Sequence, residues 1–485
     1  MFQSFDVRTD PATGAPRLGA LRAAMAEEGV DAFLVPRIDA HQGENVAPRD
    51  DRLAWLTSFT GSAGLCAVLA DRAAIFVDGR YTLQVRAQVD LACFQPVASH
   101  QVNSGDWLAE AMPEGGILAY DPWLHGREEI ERLEAKLAPR RVILRAGPNL
   151  VDRIWQDQPP RPAAPVSIHP EGLAGETHEA KRARLAGDLS KAGISAAVLT
   201  LPDSIAWLLN IRGADIARTP VTQAFALLHS DARVSLFSDP GKFGPEVRAH
   251  LGNAVDIQPW EAFEPALAAF KGRKLQLDRA TAPARIGALL EAAGASLHWE
   301  RDPCILPKAC KNEAELAGIR TAHRRDGAAM ARFLHWLDGA AGQGGLTEID
   351  IVTRLEAIRT ETGCLRDISF DTIAGAGPNG AIVHYRVTYA TNRAVAPGEL
   401  LLVDSGAQYP DGTTDITRTI AVGPVGEGES RAFTLVLKGM IAISRARFPQ
   451  GVAGRDIDAL ARIALWRAGL DYDHGTGHGV GAYLG

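Results

Sequence analysis

The chain has 485 residues, too many for one ordinary domain, so two or three are expected; 46% are hydrophobic and 22% charged, enough apolar material for several cores. A formal net charge of −7 with a pI near 6.0 excludes the basic footprint of a nucleic-acid binder or of a protein held on an anionic membrane. No basic-flanked apolar leader opens the chain, and no apolar run is long enough to span a bilayer. The cysteines, Cys66, Cys93, Cys304, Cys310 and Cys364, are scattered, odd in number and lack CxxC or CxxH spacing. They indicate a reducing, cytoplasmic setting, and Cys304 and Cys310 read as ordinary small apolar residues near a linker.

The first segment, residues 1–157, predicts a helix near Leu18 to Glu28 and a strand over Asp31–Val35. A polar loop runs through Pro48 into Ala54-Trp55-Leu56-Thr57-Ser58-Phe59-Thr60-Gly61-Ser62-Ala63-Gly64. A second buried strand, Ala74–Asp78, is expected to turn through Gly79-Arg80-Tyr81 into a helix. Strands alternating with helices imply α/β layering. The glycines of the TGSAG stretch lack a phosphate-loop pattern, so a tight turn is the reading there. His41 and His100 are single histidines in polar loops and are expected at the surface.

Residues 158–305 repeat this plan. A helix near Glu179 to Ala192, a strand over Ser195–Leu199, the stretch Leu201–Gly213 that mirrors the earlier AWLTSFTG, and a strand over Val234–Ser238 indicate an internal duplication of one α/β domain. Between the copies, Gln158 to Pro165 is too rich in proline for helix or sheet. Neither copy gathers metal-type ligands or a nucleophile with its base.

The third segment, residues 306–485, opens with a long helical pattern from Lys311, with Asn312 as N-cap and Glu315 completing a capping box. His335 and Trp336 are expected to pack against the domain. A helix starts at Thr347-Glu348-Ile349-Asp350, and others run from about Glu429 to Arg447 and from Asp456 to Ala468. Between them, Leu401–Ile420 reads as a hairpin: an apolar run, a Pro410-Asp411-Gly412 turn and a Thr/Ile-rich return strand. It carries Asp404 at the end of the apolar run and Asp415 on the returning strand. A buried, unpaired carboxylate would cost several kcal/mol or be neutralised, and a metal ion would remove that cost. The alternative is turn chemistry, with Asp404 capping Ser405-Gly406 and Asp415 pairing with Arg418. Upstream, Ile373–Ala381 leads into His384-Tyr385. Downstream, His474-Gly475-Thr476-Gly477-His478-Gly479-Val480-Gly481 sets two histidines among glycines, where nothing bulky hides the imidazoles.

IAGAGPNGAIVHY, LLVDSGAQYPDGTTDITRT and DHGTGHGVG, in that order, resemble the metallopeptidase family of methionine aminopeptidase, prolidase, creatinase and aminopeptidase P. The likeness is to the long, three-domain aminopeptidase P branch and runs from LAWLTSFTGSAG to the last residues. It implies two creatinase-type α/β domains and a pita-bread catalytic domain, an α+β fold holding a two-metal centre in a curved antiparallel sheet. It makes Asp404 a bidentate ligand of one ion, Asp415 a bridging ligand and His478 the nitrogen donor. Carboxylates with one imidazole favour hard to borderline ions, so Mn²⁺ is the first choice, with Zn²⁺ or Co²⁺ as alternatives. His384 is implied in substrate positioning or proton transfer, His474 in hydrogen-bonding the bound peptide, and Arg80 in reaching towards a neighbouring active site. The implied reaction is removal of the first residue from peptides with proline second, through a metal-bridged hydroxide, by a homodimer.

The family carries two further glutamate ligands and an HEGP-like histidine after the HGTGHGVG stretch, whereas this sequence ends at Gly485 with three of the five ligands. The expectation is therefore a catalytic domain truncated at its C-terminus. Either the chain is a fragment of an active enzyme, or it is a short form that has lost catalysis and binds peptides or dimerises. The intact Asp404, Asp415, His478, His384 and His474 favour the first.

Overall fold

A computed structural model describes residues 1–484. After helix α1 (Gly14–Glu28) come six strands: β1 (Ala32–Pro36), β2 (Leu65–Leu69), β3 (Ala73–Val77), β4 (Gln95–Ala98), β5 (Ile117–Tyr120) and β6 (Ile143–Ala146). They form one sheet in the order β4-β3-β2-β1-β5-β6, antiparallel through β1-β2-β3 and parallel elsewhere. Strand β1 is buried along its whole length and alternates between two cores. Phe33 and Val35 join Leu18, Leu21 and Met25 of α1, while Ala32 and Leu34 join Leu108, Leu118 and Ile130 on the other face. Each of these side chains larger than alanine stabilises the fold by about 1.5–3 kcal/mol when removed from water.

Residues 158–165 form no helix or strand. Helix α2 (His178–Lys191) then precedes β7 (Ala196–Leu199), β8 (Phe225–His229), β9 (Val234–Phe237), β10 (Val255–Gln258), β11 (Lys274–Leu277) and β12 (Ser296–Trp299). Their order, β10-β9-β8-β7-β11-β12, and their pairing directions reproduce the first sheet strand for strand.

The third segment begins with α3 (Glu313–Ala341), whose capping box is formed: Asn312 Oδ1 accepts the Glu315 N–H at 3.0 Å and Glu315 Oε2 accepts the Asn312 N–H at 3.0 Å. Helix α4 (Glu348–Thr360) is capped the same way by Thr347 and Asp350. An antiparallel sheet follows, of β13 (Asp367–Ile368), β14 (Ile373–Ala376), β15 (Leu400–Tyr409) and β16 (Gly412–Ala421). Phe333, Leu337, Ile351, Leu355, Ile373, Leu401 and Val403 form its core with α3 and α4. Helices α5 (Glu427–Arg445) and α6 (Gly454–Trp466) close the segment.

Three expectations are corrected. His41 is buried, because the second copy covers its loop: Nδ1 lies 3.0 Å from the Thr200 carbonyl and the ring lies 4.6 Å from that of Phe225. His335 is exposed; Phe333 and Leu337 face the core, and a residue midway between them points to the opposite side of the helix. Trp336 does pack, with its ring 5.8 Å from Phe333. Residues 78–80 form a turn, and the helix expected at Tyr81 begins only at Gln84. His100 is exposed, as expected.

Candidate metal centre

The hairpin turns through Pro410-Asp411 alone, with Tyr409 paired to Gly412, and this two-residue link fixes the register of both ten-residue strands. Asp404 sits opposite Thr417, and Gly406 opposite Asp415. Because side chains alternate, Asp404, Thr417 and Asp415 share one face, with the two aspartates on a cross-strand diagonal. Asp404 is therefore mid-strand and caps no turn. Its Oδ1 accepts the Thr417 hydroxyl at 2.7 Å. Burial, reinforced by the neighbouring Asp415 charge, pushes the Asp404 carboxyl up to about 6 despite that hydrogen bond. Burial also raises Asp415, against the opposing effect of His478.

His478 is 72% exposed, and its Nε2 lies 3.2 Å from Asp415 Oδ2. Its Nδ1 lies 2.8 Å from the Gly479 carbonyl oxygen, which can only accept, so Nδ1 carries a proton. A neutral ring then presents a bare Nε2 to a carboxylate oxygen, two acceptors face to face. The contact calls for a proton on one of the two groups, as an imidazolium or a neutral Asp415 carboxyl, or for a cation that both atoms ligate. A histidine donating one ring N–H to a backbone carbonyl while the other nitrogen faces a cation is the usual arrangement of a metal ligand. Two carboxylates that repel each other, plus this imidazole, fit divalent cations as an open donor set. Among the described residues no three His, Cys, Asp or Glu side chains close round a single point by themselves. Arg418 is not the partner of Asp415; it donates to the Thr417 carbonyl at 2.8 Å.

His384 stands on the turn after β14, and its footing is a buried glutamate. Glu348, fully enclosed, accepts from the Ala376 N–H at 2.8 Å, from Asn379 Nδ2 at 3.0 Å and from the Tyr385 hydroxyl at 2.9 Å. A Cβ on Gly375 would meet the Asn379 backbone at 2.8 Å, so the turn folds back on its strand only with glycine there. His384 Nδ1 lies 2.7 Å from the Tyr81 hydroxyl of the first copy. Burial, then the charge of Arg80, holds the His384 imidazole below its ordinary range.

The loop bearing His474 and His478 is tied to α6 by Arg462, which donates to the Tyr472 carbonyl at 2.5 Å and the His474 carbonyl at 2.9 Å. The His474 ring lies 4.6 Å from that of Tyr472. A Cβ on Gly79 would collide with the Asp473 backbone, so glycine lets the first copy approach this loop closely. Arg80 stands beside that contact, held by Asp78 at 2.7 Å and Glu44 at 3.2 Å, with its guanidinium 5.1 Å from the Tyr81 ring. The structure thus sets Asp404 and Asp415 on one face of the hairpin, with His478 reaching Asp415 from the loop after α6, and His384, His474 and Arg80 around the first-copy loop. Sequence reasoning missed Thr417, Tyr81, Ser62 and Glu44. Alternation along β16 could have flagged Thr417; nothing local signals the other three.

Comparison with known proteins decides the family. Residues 317–484 match metallopeptidase family M24, and residues 17–154 and 157–315 each match the creatinase/prolidase N-terminal domain. The chain belongs to metallopeptidase family M24. A probable Xaa-Pro aminopeptidase P of Neosartorya fischeri is 40% identical over 482 residues, covering 96% of this chain and 74% of the relative. Aminopeptidase P2 of Arabidopsis thaliana is 37% identical over 96% of this chain and 71% of its own length. The crystal structure of X-prolyl aminopeptidase from Caenorhabditis elegans, described as a cytosolic enzyme with a di-nuclear active site, superposes with a TM-score of 0.92 at 32% identity, covering 97% of this chain and 80% of that one.

Proposed function

We propose that this M24 metallopeptidase is an aminopeptidase that hydrolyses the N-terminal Xaa-Pro bond of peptides. The observation that carries the proposal is the 3.2 Å approach of His478 Nε2 to Asp415 Oδ2, on the strand face shared with Asp404. Asp404, Asp415 and His478 would hold divalent cations, with Asp415 placed between Asp404 and His478 and so suited to bridge. The oxygen-rich donors favour Mn²⁺, with Zn²⁺ or Co²⁺ as alternatives. Such cations supply Lewis acidity, which acidifies water and polarises a carbonyl. The chain's own residues bind and orient the peptide. His384, kept neutral by burial and by Arg80, holds or moves a proton at one ring nitrogen. His474 and Arg80 hydrogen-bond the peptide beside it. An X-Pro bond lacks its N–H, so a site that positions the free amine and the proline ring selects for it.

Likeness to the Caenorhabditis enzyme supports a cytoplasmic location, and no helix among the described residues is long and apolar enough to cross a membrane. A homodimer is part of the same reading. The test compares two peptides that differ only in having proline or alanine second. The expected outcome is release of the first residue from the proline peptide, lost on chelation and restored by Mn²⁺. Equal cleavage of both, or indifference to the chelator, would sink the proposal.

A further inference from the structure

The contacts of the first-copy loop form a chain of hydrogen bonds whose polarity can be assigned. Glu44 is paired with Arg80 Nη1 at 3.2 Å, and its carboxylate accepts without donating. The Ser62 hydroxyl lies 2.9 Å from Glu44 Oε1 and donates to it, which uses its single proton. Ser62 Oγ and the Tyr81 hydroxyl are 2.7 Å apart, so in that pair the tyrosine must be the donor. The Tyr81 oxygen accepts the Ser62 backbone N–H at 3.0 Å. Its own proton spent, it can meet His384 Nδ1 at 2.7 Å only as an acceptor. Nδ1 therefore carries the proton and Nε2 is bare.

The phenol is not free to swing away from this arrangement. Its residue is 1% exposed, and its ring stands edge-on to Phe59 at 5.5 Å and to His384 at 5.4 Å. The second copy has no counterpart. After β9, Asp239 Oδ1 accepts the Gly241 N–H at 2.8 Å, and Lys242 turns inward to Asp215.

We propose that Tyr81, held in turn by Ser62 and Glu44, is a positioning residue that fixes His384 as the Nδ1–H tautomer, so that Nε2 is a hydrogen-bond acceptor towards the N–H donors of a bound peptide. The proposal rests on the reading of His384 as a peptide-facing residue. It gives the first α/β domain a direct part in the chemistry of the third.

The test uses the full chain with ¹⁵N-labelled histidine at pH 8, where the depressed His384 imidazole is neutral, and reads its tautomer from two-bond ¹H–¹⁵N correlations, assigned by their loss in His384→Gln. The wild type should show a protonated Nδ1 and a bare Nε2. Ser62→Ala removes the acceptor of the Tyr81 proton, so the phenol should turn that proton to Nδ1 and the tautomer should reverse. With the metal-loaded protein, the same variant should lose roughly 100-fold in kcat with KM little changed, since the wrong tautomer disables the acceptor. Tyr81→Phe, which neither donates nor accepts, should give both tautomers and a smaller loss, about 10-fold. A wild-type Nε2–H tautomer, or an unchanged tautomer in Ser62→Ala, would overturn the inference. Absence of Xaa-Pro hydrolysis by the metal-loaded wild type would defeat the proposed function and leave the tautomer assignment standing on the NMR data.

Discussion

One hairpin carries two acidic sites, and they differ in how many donors reach them. On one face, Asp326 of α3 is almost fully buried and meets Arg359 through both oxygens at 2.8 and 3.0 Å, the Tyr409 hydroxyl at 3.0 Å and the Thr414 hydroxyl at 3.0 Å. On the other, Asp404 has the Thr417 hydroxyl, Asp415 has a single neighbouring nitrogen, Nε2 of the largely exposed His478, and the two carboxylates repel. A carboxylate saturated with donors and a buried cation is a fastener. A carboxylate pair short of positive charge is a place for something the protein does not itself supply.

Three measurements would break or sharpen this contrast. The largest effect is expected for Asp404→Asn, which should lower kcat/KM for an Xaa-Pro peptide by about 10³-fold or more, because a lost ligand costs several kcal/mol of transition-state stabilisation. Its melting temperature without metal should be unchanged or higher, since one of two repelling charges is gone. A large loss of stability would make Asp404 a fastener too. Next, Asp326→Ala leaves the Arg359 guanidinium buried without its partner and should cost about 3–5 kcal/mol in a denaturant titration. A cost under about 1 kcal/mol would show that the cluster holds nothing together.

The smallest effect concerns pH. In the metal-free protein the folded-state carboxyl of Asp404 lies near 6, above its ordinary value of 3.8. The unfolded chain gives up that proton first, so stability should fall as pH rises from about 4 to about 6, by 1–3 kcal/mol in order of magnitude. The slope should shrink in Asp404→Asn. A metal-free stability that rises steadily across this window, in the wild type and not in the variant, would refute the assignment.

Much of this was legible in the sequence, and the rest was hidden for identifiable reasons. The two α/β copies showed themselves because buried strands are short apolar runs and the same plan occurs twice. The hairpin was visible from its turn residues, and the capping box at Asn312 placed the start of α3. The register was not readable, since a slip of one residue exchanges the two faces and leaves the apolar pattern nearly as good. His41 misled because the cover over its loop comes from Thr200 and Phe225, far along the chain. Tyr81 was invisible for the same reason. Its partner His384 is 303 residues away, and no local pattern marks such a contact.

The measurement that bears most directly on the central claim is an equilibrium titration of the full chain with Mn²⁺, following free ion by electron paramagnetic resonance, for the wild type, Asp404→Asn and Asp415→Asn. Saturable binding by the wild type, lost or greatly weakened in both variants, is the predicted result. Binding that is the same in all three proteins would contradict the assignment of the hairpin face as the metal centre.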